Sequence, residues 1–142
     1  MLINAILRHK GGTVVTVSPQ ATVTDLLALL SERNIGAVVV SDDGESIAGI
    51  VSERDVVRHL HQSGPSVLGD PVSAIMTDSV RTCGPDANVD DLRRTMTDHR
   101  IRHVPVVDEG RLAGIVSIGD VVKSAIAELE AERAHLVDYI HG

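Results

Sequence analysis

The chain is one unit written twice. Pro19, Asp25 and Gly44 recur at a constant offset as Pro85, Asp91 and Gly110, and after a one-residue slip Gly49, Ser52 and Asp55 recur as Gly114, Ser117 and Asp120. Between Pro19 and Val57, 18 positions are identical in the second copy. Self-similarity of this kind marks a duplicated supersecondary unit whose copies bury apolar faces together, so the fold must be a pair of like halves. The slip falls at Gly44-Glu45-Ser46 against Gly110-Arg111, where a hairpin loop tolerates an extra residue.

Each copy reads β-α-β-β-α. A short β-rich entry (Thr13 to Val17; Val80 to Cys83) meets a Pro-containing turn and then a helix, TVTDLLALLSERN or NVDDLRRTMTDHR. Thr22 with Asp25, and Asn88 with Asp91, have the spacing of a capping box at the helix start. The runs AVVV and HVPVV are too short and too β-branched for helices; the DDG and DEG turns and a second strand, IAGIV or LAGIV, follow as a hairpin. A second helix opens at Ser52 or Ser117. The expected fold class is mixed α/β (α+β). Its parts are an N-terminal helical segment (1–12, helical over 2–9), repeat one (13–62) and a Gly/Pro/Ser-rich linker in which PVSAIMT forms a helical turn (63–78). Repeat two (79–126) and a C-terminal helix extension (127–142) complete it.

Composition narrows the chemistry. Apolar residues make up 43% of the 142, but the one aromatic is Tyr139, so the core is aliphatic and aromatic stacking on single-stranded nucleic acid is excluded as a general grip. With net charge −7 and no basic arm, duplex DNA and anionic membranes are not expected partners. A single cysteine, Cys83, cannot pair within the chain, and the apolar run near the N-terminus is too short for a signal or a membrane span; both point to a reducing cytoplasm.

The sharpest motif is GIVSERD (49–55), repeated as GIVSIGD (114–120). A buried strand ends, Ser opens a helix and Asp follows three residues on. The free N–H groups and positive dipole end of such a helix suit a phosphate, and a carboxylate there can accept both hydroxyls of a ribose diol. The same residues also make a capping box, and duplication would copy a cap as readily as a ligand site.

With these motifs, with IRHVPVVDEGRLAGIVS (101–117) and with PVSAIMT between the copies, the chain resembles a cystathionine-beta-synthase-type (CBS) domain pair, or Bateman module, over nearly its whole length. The resemblance implies tandem repeats about a pseudo-twofold axis with two clefts, in which the motif Asp holds ribose and aliphatic residues hold adenine. One cleft would use Ile50, Ser52 and Asp55, the other Ile115, Ser117 and Asp120. Ile35-Gly36-Ala37 and Ile101-Arg102-His103 would face the clefts from the opposite repeat. The implied ligand is an adenine nucleotide, AMP, ADP or ATP, or NAD.

The clefts should differ. Gly36 and Ala37 stand against Arg102 and His103, and Arg54 against Gly119. Arg54 and Arg102 can fork onto phosphate oxygens, although an exposed Arg54 is equally an ordinary surface charge, and His103 can make anion binding pH-dependent. His59-x-His61 lacks further ligands at metal spacing, Cys83 has no adjacent base, and neither a P-loop nor G-x-S-x-G is present. A nucleotide-binding regulatory module without catalytic cofactor is therefore expected, acting on an unidentified downstream protein. The alternatives are a homodimeric scaffold with vestigial clefts and a nucleotide hydrolase. Association into a homodimer is expected from the resemblance and from the stripe Val122, Ile126, Leu129, Leu136, Ile140 on the last helix.

Overall fold

The computed structural model describes residues 1–11 and 14–141. Gly12 and Thr13, at the expected boundary between the N-terminal segment and the first entry strand, and Gly142 lie outside the described residues. Helix α1 (Ile3–Lys10) is followed by the first repeat: β1 (Thr16–Val17), α2 (Val23–Arg33), β2 (Ala37–Val40), β3 (Gly49–Ser52) and α3 (Glu53–Ser63). The second repeat comprises α4 (Val89–His99), β4 (His103–Asp108), β5 (Arg111–Ser117) and α5 (Ile118–His141), after 3-10 turns at Pro65–Gly69 and Val72–Ala74.

In the first repeat β1 runs parallel to β2, and β2 antiparallel to β3 with Val38 opposite Val51. In the second, β4 and β5 form an antiparallel pair with a shift at Val106/Val107, closed by a tight turn with Glu109 and Gly110 at positive φ. The expected entry strand Val80 to Cys83 is reduced to one parallel rung, Cys83 opposite Val106. The cause is Pro105, which stands where the first repeat has Val39. Thr16 pairs with Val39 in β1, whereas Pro105 has no N–H to donate to a second rung.

The helix starts differ in the same way. Thr22 and Asp25 form the expected box, Asp25 N donating to Thr22 Oγ1 at 3.1 Å and Thr22 N to Asp25 Oδ2 at 3.3 Å. The corresponding box with Asp91 does not form. Asn88 Oδ1 instead accepts from the amide of Asp90 at 2.8 Å, because its longer side chain caps the second helical N–H.

Two aliphatic cores result, and each is completed from outside its own repeat. Val67, Val72 and Ile75 from the connecting segment join Leu26, Val38 and Val51 in the first core. Ile3 and Ile6 of α1 join Leu92, Val104 and Val116 in the second. The backbone docking is equivalent: Val72 N donates to Ala21 O and Ser73 N to Pro19 O, while Ile3 N donates to Ala87 O and Asn4 N to Pro85 O. MLINAIL at the start of the chain is thus the counterpart of DPVSAIM in the connecting segment. The match extends to packing, because Gly49 lies under Met76 as Gly114 lies under Leu7. The segment PVSAIMT packs on the repeat that precedes it, and the chain's first helix packs on the repeat farthest from it.

Candidate functional site

The two Ser-x-x-Asp corners are built alike. A buried strand, β3 or β5, delivers Ser52 or Ser117 to a helix start. Ser52 N donates to Asp55 Oδ2 at 2.8 Å and Asp55 N to Ser52 Oγ at 3.3 Å. Ser117 N donates to Asp120 Oδ2 at 2.9 Å and Asp120 N to Ser117 Oγ at 3.2 Å. Both carboxylates therefore cap their helices, through one oxygen each. The hairpin openings meet these corners by backbone bonds: Glu53 N donates to Gly36 O at 3.0 Å and Ile118 N to Arg102 O at 2.8 Å. The carbonyl each opening offers belongs to its own repeat's helix. Across the axis, a Cβ on Gly36 would lie 3.8 Å from His103 Cε1, so the two openings face each other.

Between the repeats lies an open cavity of about 800 Å³. Nine of the twelve candidate residues line it: Gly36, Ala37, Ile50, Ser52, Arg54, Asp55, Arg102, His103 and Ser117. Ile35, Ile115 and Asp120 do not. Ile35 packs against the first core instead. The second corner is taken by α1, whose Lys10 Nζ donates to Ile115 O and to Asp120 Oδ2, each at 2.8 Å. Burial pushes the Asp120 carboxyl up, but the Lys10 and Ser117 hydrogen bonds outweigh it and hold the group below the usual carboxylate range. The open cavity thus takes in the Asp55 corner, while at the other corner the Asp120 carboxylate is paired with Lys10.

The cavity wall also contains residues the motifs did not reveal. Arg58, Arg81 and Arg100 join Arg54 and Arg102, and His99 joins His103, against the acids Glu53 and Asp55. Five of the chain's eleven arginines therefore surround one cavity in a protein of net charge −7. Arg58 was legible as the i+4 neighbour of Arg54 on α3, and Lys10 from the match of MLINAIL to DPVSAIM. Arg81 carried no signal. Arg100 is the left-handed C-cap of α4, with φ 53°. Asn34 occupies the equivalent cap of α2 at φ 53°, so the backbone shape belongs to the fold, while the arginine is particular to this cavity. His103 is half-buried; burial first, then the charges of Arg102 and Lys10, hold it below the 6.5 of a solvated imidazole, opposed by Asp120 and Glu53.

Cys83 is half-buried, and burial raises its thiol. Among the described residues no group of three or more His, Cys, Asp or Glu is placed to hold a metal ion, and His59 and His61 stand without a third ligand. No helix of the described residues is long and apolar enough to cross a membrane.

A family model, the CBS domain, matches residues 12–62 and again 72–127. The chain belongs to the CBS-domain family. It is 36% identical over 148 residues to the mitochondrial CBS domain-containing protein CBSX3 of Arabidopsis thaliana, covering 99% of this chain and 72% of that one. The crystal structure of the CBS-domain protein ATU1752 from Agrobacterium tumefaciens superposes with a TM-score of 0.85 at 42% identity, covering 88% of this chain and 99% of that one. The CBS domain pair of protein MJ0100, solved in complex with 5′-methylthioadenosine and S-adenosyl-L-methionine, superposes with a TM-score of 0.79 at 26% identity, covering 90% of this chain and 98% of that one. The paired β-α-β-β-α organisation is thus that of CBS-domain pairs, some of which bind adenosine-containing ligands.

Proposed function

We propose that this CBS pair is a non-catalytic regulatory module that binds a phosphorylated adenine nucleotide, AMP, ADP, ATP or NAD, in the open cleft. The observation that carries the reading is the ring of five arginines around a cavity that also contains Asp55. Asp55 accepts the ribose diol through Oδ1, the oxygen its cap does not use, with Ser52 beside it. Ile50, Ala37 and Ile101 flank the adenine. Arg54, Arg102 and His103, all on the cavity wall, take the phosphates, the two arginines by forked, charge-assisted bonds. The sign of the field separates ligands: phosphates are drawn in, whereas the cationic sulfonium of S-adenosylmethionine is repelled and uncharged methylthioadenosine gains nothing.

Binding acts by population shift. Arg54 and Asp55 belong to the first repeat and Arg102 and His103 to the second, so a nucleotide touching both favours one relative setting of the repeats, which an unidentified partner reads. A thermal-shift panel of AMP, ADP, ATP, NAD, S-adenosylmethionine and methylthioadenosine tests the reading. A ligand at 100 times its Kd stabilises by about 2.7 kcal/mol. Stabilisation by the phosphorylated compounds supports it, and a panel without any shift removes it.

The second reading, a homodimer that serves as a scaffold, draws on α5. Val122, Ile126, Leu129, Leu136 and Ile140 are all exposed on the single chain, Ile140 at 74%. A stripe of this kind is what an a/d-like helix seam between two copies would bury. Sedimentation of the free protein, with and without nucleotide, measures the association and its independence from the ligand.

A further inference from the structure

The two Ser-x-x-Asp corners are related by the duplication, yet the Asp55 carboxylate lines the open cavity and the Asp120 carboxylate is paired with a lysine. In the alignment of MLINAILRHK with DPVSAIMTDS, Lys10 corresponds to Ser79. Ser79 lines the open cavity and is too short to cross it. Lys10 reaches the motif corner of the second repeat and satisfies both Ile115 O and Asp120 Oδ2. The ammonium shares Oδ2 with the Ser117 cap and leaves Oδ1 unbonded among the described residues, so what it denies a ligand is the place at the corner that its Nζ fills between Ile115 O and Asp120. The lysine is not on a loose arm. Ile3 is fully buried, Ile6 nearly so, and Leu7 is seated on Gly114, which fixes the helix that carries Lys10.

We propose that Lys10 is a built-in occupant of the second cleft and the residue that limits this chain to one nucleotide. The inference rests on the nucleotide reading of the open cleft, since the second cleft is its duplicate. With Lys10 in place the charge of Asp120 is paired and the corner beside it is filled by the ammonium. With serine at that position, as in the first cleft, the corner presents the same Ile, Ser and Asp that the open cleft presents.

Calorimetric titration of the full chain with ADP tests this, comparing wild type with Lys10→Ser and with the double variant Lys10→Ser/Asp120→Asn. The expected result is one ADP per chain in the wild type, two in Lys10→Ser and one again in the double variant. Two per chain in the wild type, or one in both it and Lys10→Ser, overturns the proposal. A carboxyl-carbon NMR titration of Asp120 needs no ligand and separates the two failures. If ADP binds to neither protein, the nucleotide reading has failed. The lysine contact is then upheld by an Asp120 midpoint that rises in Lys10→Ser and overturned by one that does not move.

Discussion

Leu7 sits directly over Gly114, so that a Cβ at that glycine would collide with the leucine's Cδ2. Met76 stands over Gly49 in the same way, but there a Cβ would also meet the Thr77 carbonyl oxygen at 2.8 Å. These two contacts hold the segments that complete each core, and they respond differently to crowding.

Gly114→Ala pushes against the end of a flexible side chain, whereas Gly49→Ala pushes against backbone bonded both ways to Ile50. We expect each to destabilise by about 1–3 kcal/mol, with Gly49→Ala the more costly. Leu7→Ala should relieve part of the Gly114→Ala cost, a coupling of about 0.5–3 kcal/mol that a double-mutant cycle in urea would measure. Strict additivity would mean the two residues do not touch.

Ile3 is fully buried in the second core although it lies far upstream of that repeat's strands. Ile3→Ala is expected to cost about 2–5 kcal/mol, as deletion of a core aliphatic does. Hydrogen exchange should show α4 and β4 losing protection before α2 and β2. Uniform loss, or loss confined to α1, would contradict the placement of α1 in the second core.

Arg100 and Asn34 occupy equivalent left-handed caps, and only asparagine tolerates that backbone well. Arg100→Gly should therefore raise stability by about 1 kcal/mol while weakening nucleotide binding. Thermal denaturation and calorimetry on the same sample report both. A stabilised variant with unchanged affinity would remove Arg100 from the phosphate site.

The fold holds the His103 pKa below its unfolded value, so its contribution to stability is complete above about 6.5 and is lost as pH falls through the lower folded value. A bound phosphate reverses the field that Arg102 and Lys10 impose on the imidazole. Nucleotide binding should then take up a proton and tighten as pH falls through about 6.5 toward the lower value His103 has in the free protein. His103→Asn should flatten both the stability and the affinity profiles. Profiles identical to the wild type would place the titration elsewhere.

Much of this architecture was legible because duplication and short β-branched apolar runs show in the linear sequence: AVVV and HVPVV became β2 and the core of β4, and the Ser-x-x-Asp corners formed as capping boxes. What escaped depended on pairing across the chain. The loss of the second entry strand follows from Pro105 facing Arg81-Thr82-Cys83, a register invisible before β4 is placed. The missing box at Asn88 turns on one bond length of side chain. Lys10 carries no signal within α1 alone, because its role shows only when MLINAIL is set against its counterpart DPVSAIM. The arginine ring gathers residues from α3, the connecting segment and the end of α4, and no linear pattern unites them.

The proposed recognition of phosphate together with adenosine in the open cleft is tested directly by calorimetric titration with adenosine, AMP and ADP under one salt condition. Affinity should rise at least about tenfold from adenosine to AMP, the gain a charge-assisted contact of about 1.5–3 kcal/mol supplies, and should not fall from AMP to ADP. Adenosine binding as tightly as AMP would contradict the account.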